Sequence, residues 1–209
     1  MQQNGSSRQF CSDPLWDLDL TWYTEDPDFT HCFQYTILIY VPAFIFTLFL
    51  PFKWWTWHHT KQGHVPWTPI IGARLILNLV LIAINLLQFI MEMVWLDKMR
   101  PISNIVAPVV LVVTFLLATY VEIQDVKNGI SATSSLFLLW FTLAITTTFT
   151  FTSFVRFPYD HPAVERVLFF LNYGFIVAQL FLVSWANPPP SHMQLEGKLI
   201  RKNTQRVMI

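Results

Sequence analysis

The sequence predicts an all-α membrane protein, a five-transmembrane-helix bundle with an extracytoplasmic N-terminus and a cytoplasmic C-terminus. Two observations predict the fold and a third the orientation. Of 209 residues, 54% are hydrophobic and only 12% charged, about half the ~25% charged residues usual in soluble globular domains. The charges are bunched into polar islands, leaving five apolar runs of the length (about 20 residues) that a helix needs to cross the hydrocarbon core. Lysine and arginine are unequally shared between the two sets of loops, and the richer set marks the cytoplasmic side. Net charge is zero, from 13 basic and 13 acidic residues, which gives no electrostatic reason for a nucleic-acid partner. The bilayer is the partner that this composition requires.

Residues 1–32 form a polar, acidic extracytoplasmic segment, without the apolar core and small-residue cleavage site of a removable signal peptide. The spans follow at about 33–52, 70–95, 102–121, 134–155 and 164–185. The first is long enough to remain as an anchor. Pro51, Pro66, Pro69, Pro101, Pro158 and Pro162 fall at or between span ends, where a missing amide costs least. Pro42 and Pro108 lie inside spans one and three, as membrane helices allow when neighbours satisfy the freed carbonyls. Trp54, Trp55, Trp57 and Trp67 crowd the first inner loop, Trp95 ends span two and Trp185 ends span five, the placement of an interfacial aromatic belt. Pro188, Pro189 and Pro190 stop span five, and 186–209 reads as a cytoplasmic basic tail able to touch anionic lipid.

Orientation rests on the loop cations. One face holds Lys53, Lys61, Arg74, Lys127, Lys198, Arg201, Lys202 and Arg206; the other holds Arg8, Lys98, Arg100, Arg156 and Arg166. Eight against five places the first set inside. Both cysteines, Cys11 and Cys32, fall in the N-terminal segment. Paired in an oxidising compartment they close a loop of about 20 residues, worth about 3 kcal/mol; two free thiols are the alternative. The sequon Asn4-Gly5-Ser6 makes Asn4 a candidate glycosylation site on the same side. The acidic residues between Asp13 and Asp28 read as a solvated face.

Within the spans, the most informative pattern is in span two. Arg74, Asn78, Asn85, Gln88 and Glu92 fall on one stripe about 80° wide. Span four aligns Thr142, Thr146, Thr150 and Ser153, and span five aligns Asn172 and Gln179. One reading is a polar pathway for an ion or solute between these spans; the other, preferred here, is interhelical hydrogen bonding that holds the bundle together. Arg74 and Glu92 are expected near span ends, where they can snorkel to the headgroups. No acidic residue is expected at mid-span, where a coupled carrier would need one.

Chemistry-bearing motifs are absent. No G-x-x-x-x-G-K-[ST] loop cradles a phosphate, so this chain has no ATP site of its own. His58, His59 and His64 lie beside Lys53 and Lys61 without a neighbouring cysteine or carboxylate, and read as an interfacial basic loop rather than a metal site. No local hydrolase signature is present. The expectation is therefore no catalytic residue, no metal and no cofactor.

The N-terminal segment carries a more specific signal. Phe10-Cys11, Asp13-Pro14-Leu15-Trp16-Asp17, Thr21-Trp22, Pro27-Asp28-Phe29-Thr30 and Cys32-Phe33-Gln34, followed by Pro42, Pro51-Phe52, Thr68-Pro69 and Leu116-Leu117-Ala118-Thr119, resemble the opening of multidrug resistance-associated proteins, members of ABC transporter subfamily C. The resemblance covers about residues 10–185 and is densest over the first 45. It implies an accessory N-terminal membrane domain of five helices, N-terminus outside, with the two cysteines together on the outer face. The parent proteins export organic anions, including glutathione conjugates, with ATP. The accessory domain serves trafficking, membrane retention and partner contacts, and ATP enters only through domains missing from this chain. Asp19 and Tyr23 stand where family asparagines carry sequons, leaving Asn4 alone as the expected glycan site. The chain stops near where the family's linker to the transporter core begins, so a truncated domain and a freestanding descendant are both open. Its partners would be the transporter core or another membrane protein met through helix faces. The plasma membrane is the expected location, with a vacuolar or other endomembrane as the variant. The alternative function is an independent small five-helix carrier or channel using the stripe of span two, or a membrane scaffold protein.

Overall fold

A computed structural model describes residues 10–11, 13–23, 28–59, 67–94, 101–130, 134–156 and 163–185. Regular structure among them is entirely helical. Two short helices, α1 (Leu18–Trp22) and α2 (His31–Tyr35), precede five long ones: α3 (Ile37–His59), α4 (Pro69–Val94), α5 (Ile102–Asn128), α6 (Ser134–Arg156) and α7 (Ala163–Ser184). With α2 running into α3, five helices are long and apolar enough to cross a membrane. The protein is thus a multi-pass integral membrane protein.

The helices form because their runs of Leu, Ile, Val and Phe contain few breakers, and because the backbone of a spanning segment must satisfy its own amides. Pro42, Pro51 and Pro108 sit inside α3 and α5 without ending them. Span one therefore runs past Pro51 to His59, and span three past residue 121 to Asn128. The stop of α5 is local chemistry. Gly129 takes φ 79°, ψ 16°, and donates its N–H to Val126 O, while Ile130 N donates to Asp125 O at 2.9 Å. This is a Schellman motif, whose left-handed position favours glycine because it has no Cβ.

Packing closes the five helices into a ring in the order α3–α5–α4–α7–α6 and back to α3, each long helix touching two neighbours. Apolar core residues meet inside it: Phe46 of α3, Leu81 of α4, Phe115 of α5, Trp140 of α6 and Ile176 of α7, each buried, with the Phe115 and Trp140 rings stacked at 5.5 Å. The outward faces are also apolar. Val41, Phe44, Leu48, Phe52 and Trp55 make one exposed stripe along α3, and Ile76, Leu79, Leu86, Ile90 and Met93 another along α4. The exterior suits lipid, and the polar residues are turned inward.

At one end of the ring the N-terminal segment is fastened down. Cys11 and Cys32 form a disulfide with Cα atoms 5.5 Å apart. Thr30 caps α2 by accepting from Phe33 N, and its hydroxyl donates to Leu15 O at 2.8 Å. Trp16, Phe29 and Phe33 form an aromatic cluster that reaches Phe149 of α6. Phe10 O accepts from Ser103 N of α5 at 3.0 Å. Asn4 and the tail 186–209 lie outside the described residues. Replacing Cys32 with Ser is expected to lower stability by about 3 kcal/mol, because the freed loop of about 20 residues regains its unfolded-state entropy. Thermal unfolding of the detergent-purified protein with and without reductant measures this, and equal midpoints would refute it.

Candidate functional site

The polar residues of the spans gather into a layered interior. Nearest the end where α3 finishes are two ion pairs. Lys53 of α3 meets Asp125 of α5, Nζ to Oδ2 3.0 Å, and Trp57 Nε1 donates to the other oxygen of Asp125 at 2.7 Å. Arg74 of α4 meets Glu122 of α5, Nε to Oε1 2.9 Å, with both side chains under 5% exposed. Glu122 and Asp125 are one turn apart on α5, so a single helix face supplies both anions. The pairs carry no net charge, which is what makes four buried ions tolerable at this depth.

From the Arg74–Glu122 pair a hydrogen-bonded chain runs across to α7. Asn78 Nδ2 donates to Glu122 Oε2 at 3.5 Å. Gln179 Nε2 donates to Asn78 Oδ1 at 2.6 Å and to Arg74 O at 2.7 Å. Deeper in the ring, Asn85 Nδ2 donates to Leu81 O at 2.8 Å and to Asn172 Oδ1 at 3.3 Å. The stripe of span two therefore faces α5 and α7 through Arg74, Asn78 and Asn85. Its other two members, Gln88 and Glu92, lie half-buried on a cavity of about 180 Å³ at the disulfide end.

The hydroxyl face of span four behaves differently from the amides. Thr142 and Thr146 donate to carbonyls of their own helix, and Thr147 and Thr148 do the same. Such back-bonding spends the hydroxyl locally and leaves little for a neighbour. Two hydroxyls also reach another element: Thr148 Oγ1 lies 3.2 Å from the Tyr173 hydroxyl of α7, and Ser153 Oγ donates to Asp28 Oδ2 at 2.6 Å and accepts from Gln34 Nε2 at 3.3 Å, tying α6 to the N-terminal segment. Asp28 is thus a structural anchor rather than part of a solvated acidic face.

Two further expectations are corrected. Arg74 does not snorkel to the headgroups; it is 3% exposed and ion-paired inside the ring. Lys53 is not a loop cation; it lies within α3 and is committed to Asp125. Glu122 and Asp125 were beyond the expected end of span three because hydropathy falls there, although the helix continues for two more turns. The i, i+3 spacing of these acids, with Lys53 and Arg74 expected at the same end, was the signal that could have found the pairs. Among the described residues no group of His, Cys, Asp and Glu is placed to hold a metal ion.

A ring of five membrane helices that neutralises its own charges, lidded by a disulfide-fastened segment, defines the class: a multi-pass membrane domain. The chain belongs to the ABC transporter TMD0 domain family, whose sequence profile matches residues 9–168. It is similar to ATP-binding cassette sub-family C member 3 of Homo sapiens, 23% identical over 182 residues, a match covering 84% of this chain and 12% of that relative. The same protein of Rattus norvegicus and of Mus musculus is 22% identical over 191 residues, with the same coverage. The chain thus spans 12% of the length of the curated relatives it matches, in a region that contains no matched ATP-binding cassette.

The ion pairs give a direct test. Arg74→Met or Glu122→Gln alone leaves an unpaired buried charge or a broken network, and is expected to destabilise the bundle by about 3 kcal/mol or more. The double variant Arg74→Met/Glu122→Gln, which combines the same two changes, is expected to recover most of that loss. Thermal unfolding of the three proteins in detergent checks it; additive losses in the double variant would refute the pairing.

Proposed function

We propose that this chain is the non-catalytic accessory membrane domain of an ATP-driven exporter of organic anions and conjugates, serving trafficking, membrane retention and partner contacts. The observation that carries the reading is the family match over 9–168, which takes in the disulfide-fastened lid and the ring through the start of α7. In this reading the N-terminus is extracytoplasmic and the C-terminus cytoplasmic. The disulfide within the N-terminal segment supports that orientation, since such bonds persist in oxidising compartments. The loop-cation difference supports it less once Lys53 and Arg74 are withdrawn into ion pairs. Asn4 is the glycan site in this topology, and the plasma membrane is the destination.

The outward stripes of α3 and α4 are the surfaces through which the domain would meet a transporter core or another membrane protein. An independent carrier or channel is not favoured. Asn78, Asn85 and Gln179 are engaged with one another's helices, and a conducting path needs groups free to exchange partners with its cargo.

Two measurements test the proposal. Inside-out vesicles containing this chain alone are expected to show no ATP-dependent uptake of a glutathione conjugate, and robust uptake would overturn it. The chain is expected to co-purify with a sub-family C transporter core whose own accessory domain has been deleted, and to raise the amount of that core at the cell surface. Failure of both would leave the bundle without this role.

A further inference from the structure

Thr150 breaks the pattern of its helix. Thr142, Thr146, Thr147, Thr148 and Thr152 each donate their hydroxyls to carbonyls of α6 itself. Thr150 is 9% exposed, yet its hydroxyl makes no hydrogen bond with any described group. A buried hydroxyl normally has a partner, because leaving it without one costs its full desolvation. That of Thr150 is not sealed within protein; it opens on the cavity of about 180 Å³ at the disulfide end, to which all five long helices contribute lining.

A second open valence lies at the same depth. Asn172 of α7 is 5% exposed and accepts at Oδ1 from Asn85 Nδ2 at 3.3 Å, while its Nδ2 donates to no described group. The stacked pairs Phe154–Phe169 and Phe151–Tyr173, at 4.4 and 4.8 Å, fix the register of α6 against antiparallel α7. In that register Thr150 and Asn172 stand at one level on adjacent helices, and both line the cavity. Leu111, Phe154, Leu168 and Phe169 supply apolar wall around them. Glu92 and Glu165, on the same lining, already have partners of their own, Glu165 accepting from Tyr35 OH at 3.1 Å.

An apolar pocket with a few placed polar groups is the usual form of a small-molecule site, and here those groups select the ligand. Thr150 can donate or accept, and the amino group of Asn172 donates. A ligand hydroxyl answers both, accepting from Asn172 Nδ2 and donating to Thr150 Oγ1. An ammonium has no acceptor for Asn172. A carboxylate would be buried without a counter-charge, since no lysine, arginine or histidine is among the described lining residues. A cavity of roughly 150 Å³ accepts benzene, so about 180 Å³ suits a six-membered ring with one hydroxyl. We propose that this cavity is a binding site for a small neutral alcohol of the size of cyclohexanol, its hydroxyl between Asn172 and Thr150 and its ring against the apolar wall. The site needs no transporter core, so it stands or falls apart from the accessory role.

Photolabelling the full chain in nanodiscs with a cyclohexanol bearing a spiro-diazirine opposite its hydroxyl tests the site. Peptide mapping is expected to place saturable label on the cavity-lining stretches of α5 and α7. Compared at equal concentration in the membrane, cyclohexanol is expected to displace the probe at about tenfold lower concentration than methylcyclohexane, the factor that neutral hydrogen bonds supply. Cyclohexylammonium and cyclohexanecarboxylate are expected not to displace it. Thr150→Val, which keeps the shape and removes the hydroxyl, should bring alcohol and hydrocarbon to near equality. Ala107→Leu, which fills cavity space, should reduce labelling by the probe. Retention of the Cys11–Cys32 disulfide and a monodisperse gel-filtration peak show that each variant is folded. Label confined to the lipid-facing stripes, or no saturable label, as for a cavity that holds only water, would overturn the proposal. So would equal displacement by alcohol and hydrocarbon, or an undiminished alcohol preference in Thr150→Val. If either variant does not fold, label position and alcohol preference in the unmodified chain decide the matter.

Discussion

Four ionised side chains are buried at one end of this bundle, and the structure is arranged so that none is without an opposite charge. Lys53 of α3 and Arg74 of α4 both find their partners on α5, at Asp125 and Glu122. An ion left alone at this depth costs several kcal/mol, so α3 and α4 must both present these residues to the same face of α5. That requirement fixes the rotation of three helices about their axes and their relative heights. It also explains why α5 remains helical beyond its apolar run: stopping at residue 121 would remove both anions. The Schellman stop at Gly129 follows Asp125 by one turn, so both acids lie within the helix.

With α3, α4 and α5 set, the remaining helices are placed by weaker polar contacts and by packing. Gln179 spans from α7 to Asn78 and to the backbone at Arg74, so the α7 interface extends the ion-pair network rather than forming separately. Asn172 and Asn85 repeat the contact two turns away. Each such bond is worth about 0.6–2 kcal/mol in a membrane, enough to select register among otherwise interchangeable apolar faces. α6 is held by Thr148 to Tyr173 of α7, by Trp140 against Phe115 and, at its end, by Ser153 to Asp28. The disulfide-fastened segment therefore adds a polar contact at the end of α6.

Much of this was legible in the sequence, for identifiable reasons. Spanning helices announce themselves because the bilayer imposes length and apolarity together, so all five could be read from hydropathy. The facing of Asn78 and Asn85 could be read from helical periodicity, and so could the alignment of Asn172 with Gln179. Which stripes meet could not, since periodicity orients a helix face without naming the helix opposite. Lys53 and Arg74 were misplaced because a rule that assigns cations near span ends to the headgroups has no means of knowing that two acids wait on another helix. The cavity was beyond reach for the same reason: Glu92 and Glu165 are 73 positions apart in sequence, and only closure of the ring places both on one lining.

The division between inside and outside constrains how such a domain can act. Its amides and ions at the ion-pair end are spent on each other, so moving a helix there means breaking bonds in a medium that offers no replacement partners. That end is the rigid part. The disulfide end is held by a lid, by hydrogen bonds from Ser153 to Asp28, Gln34 to Ser153 and Tyr35 to Glu165, and by aromatic packing, and it borders space that the side chains do not fill. The helices at the disulfide end therefore have more room to shift than those at the ion-pair end.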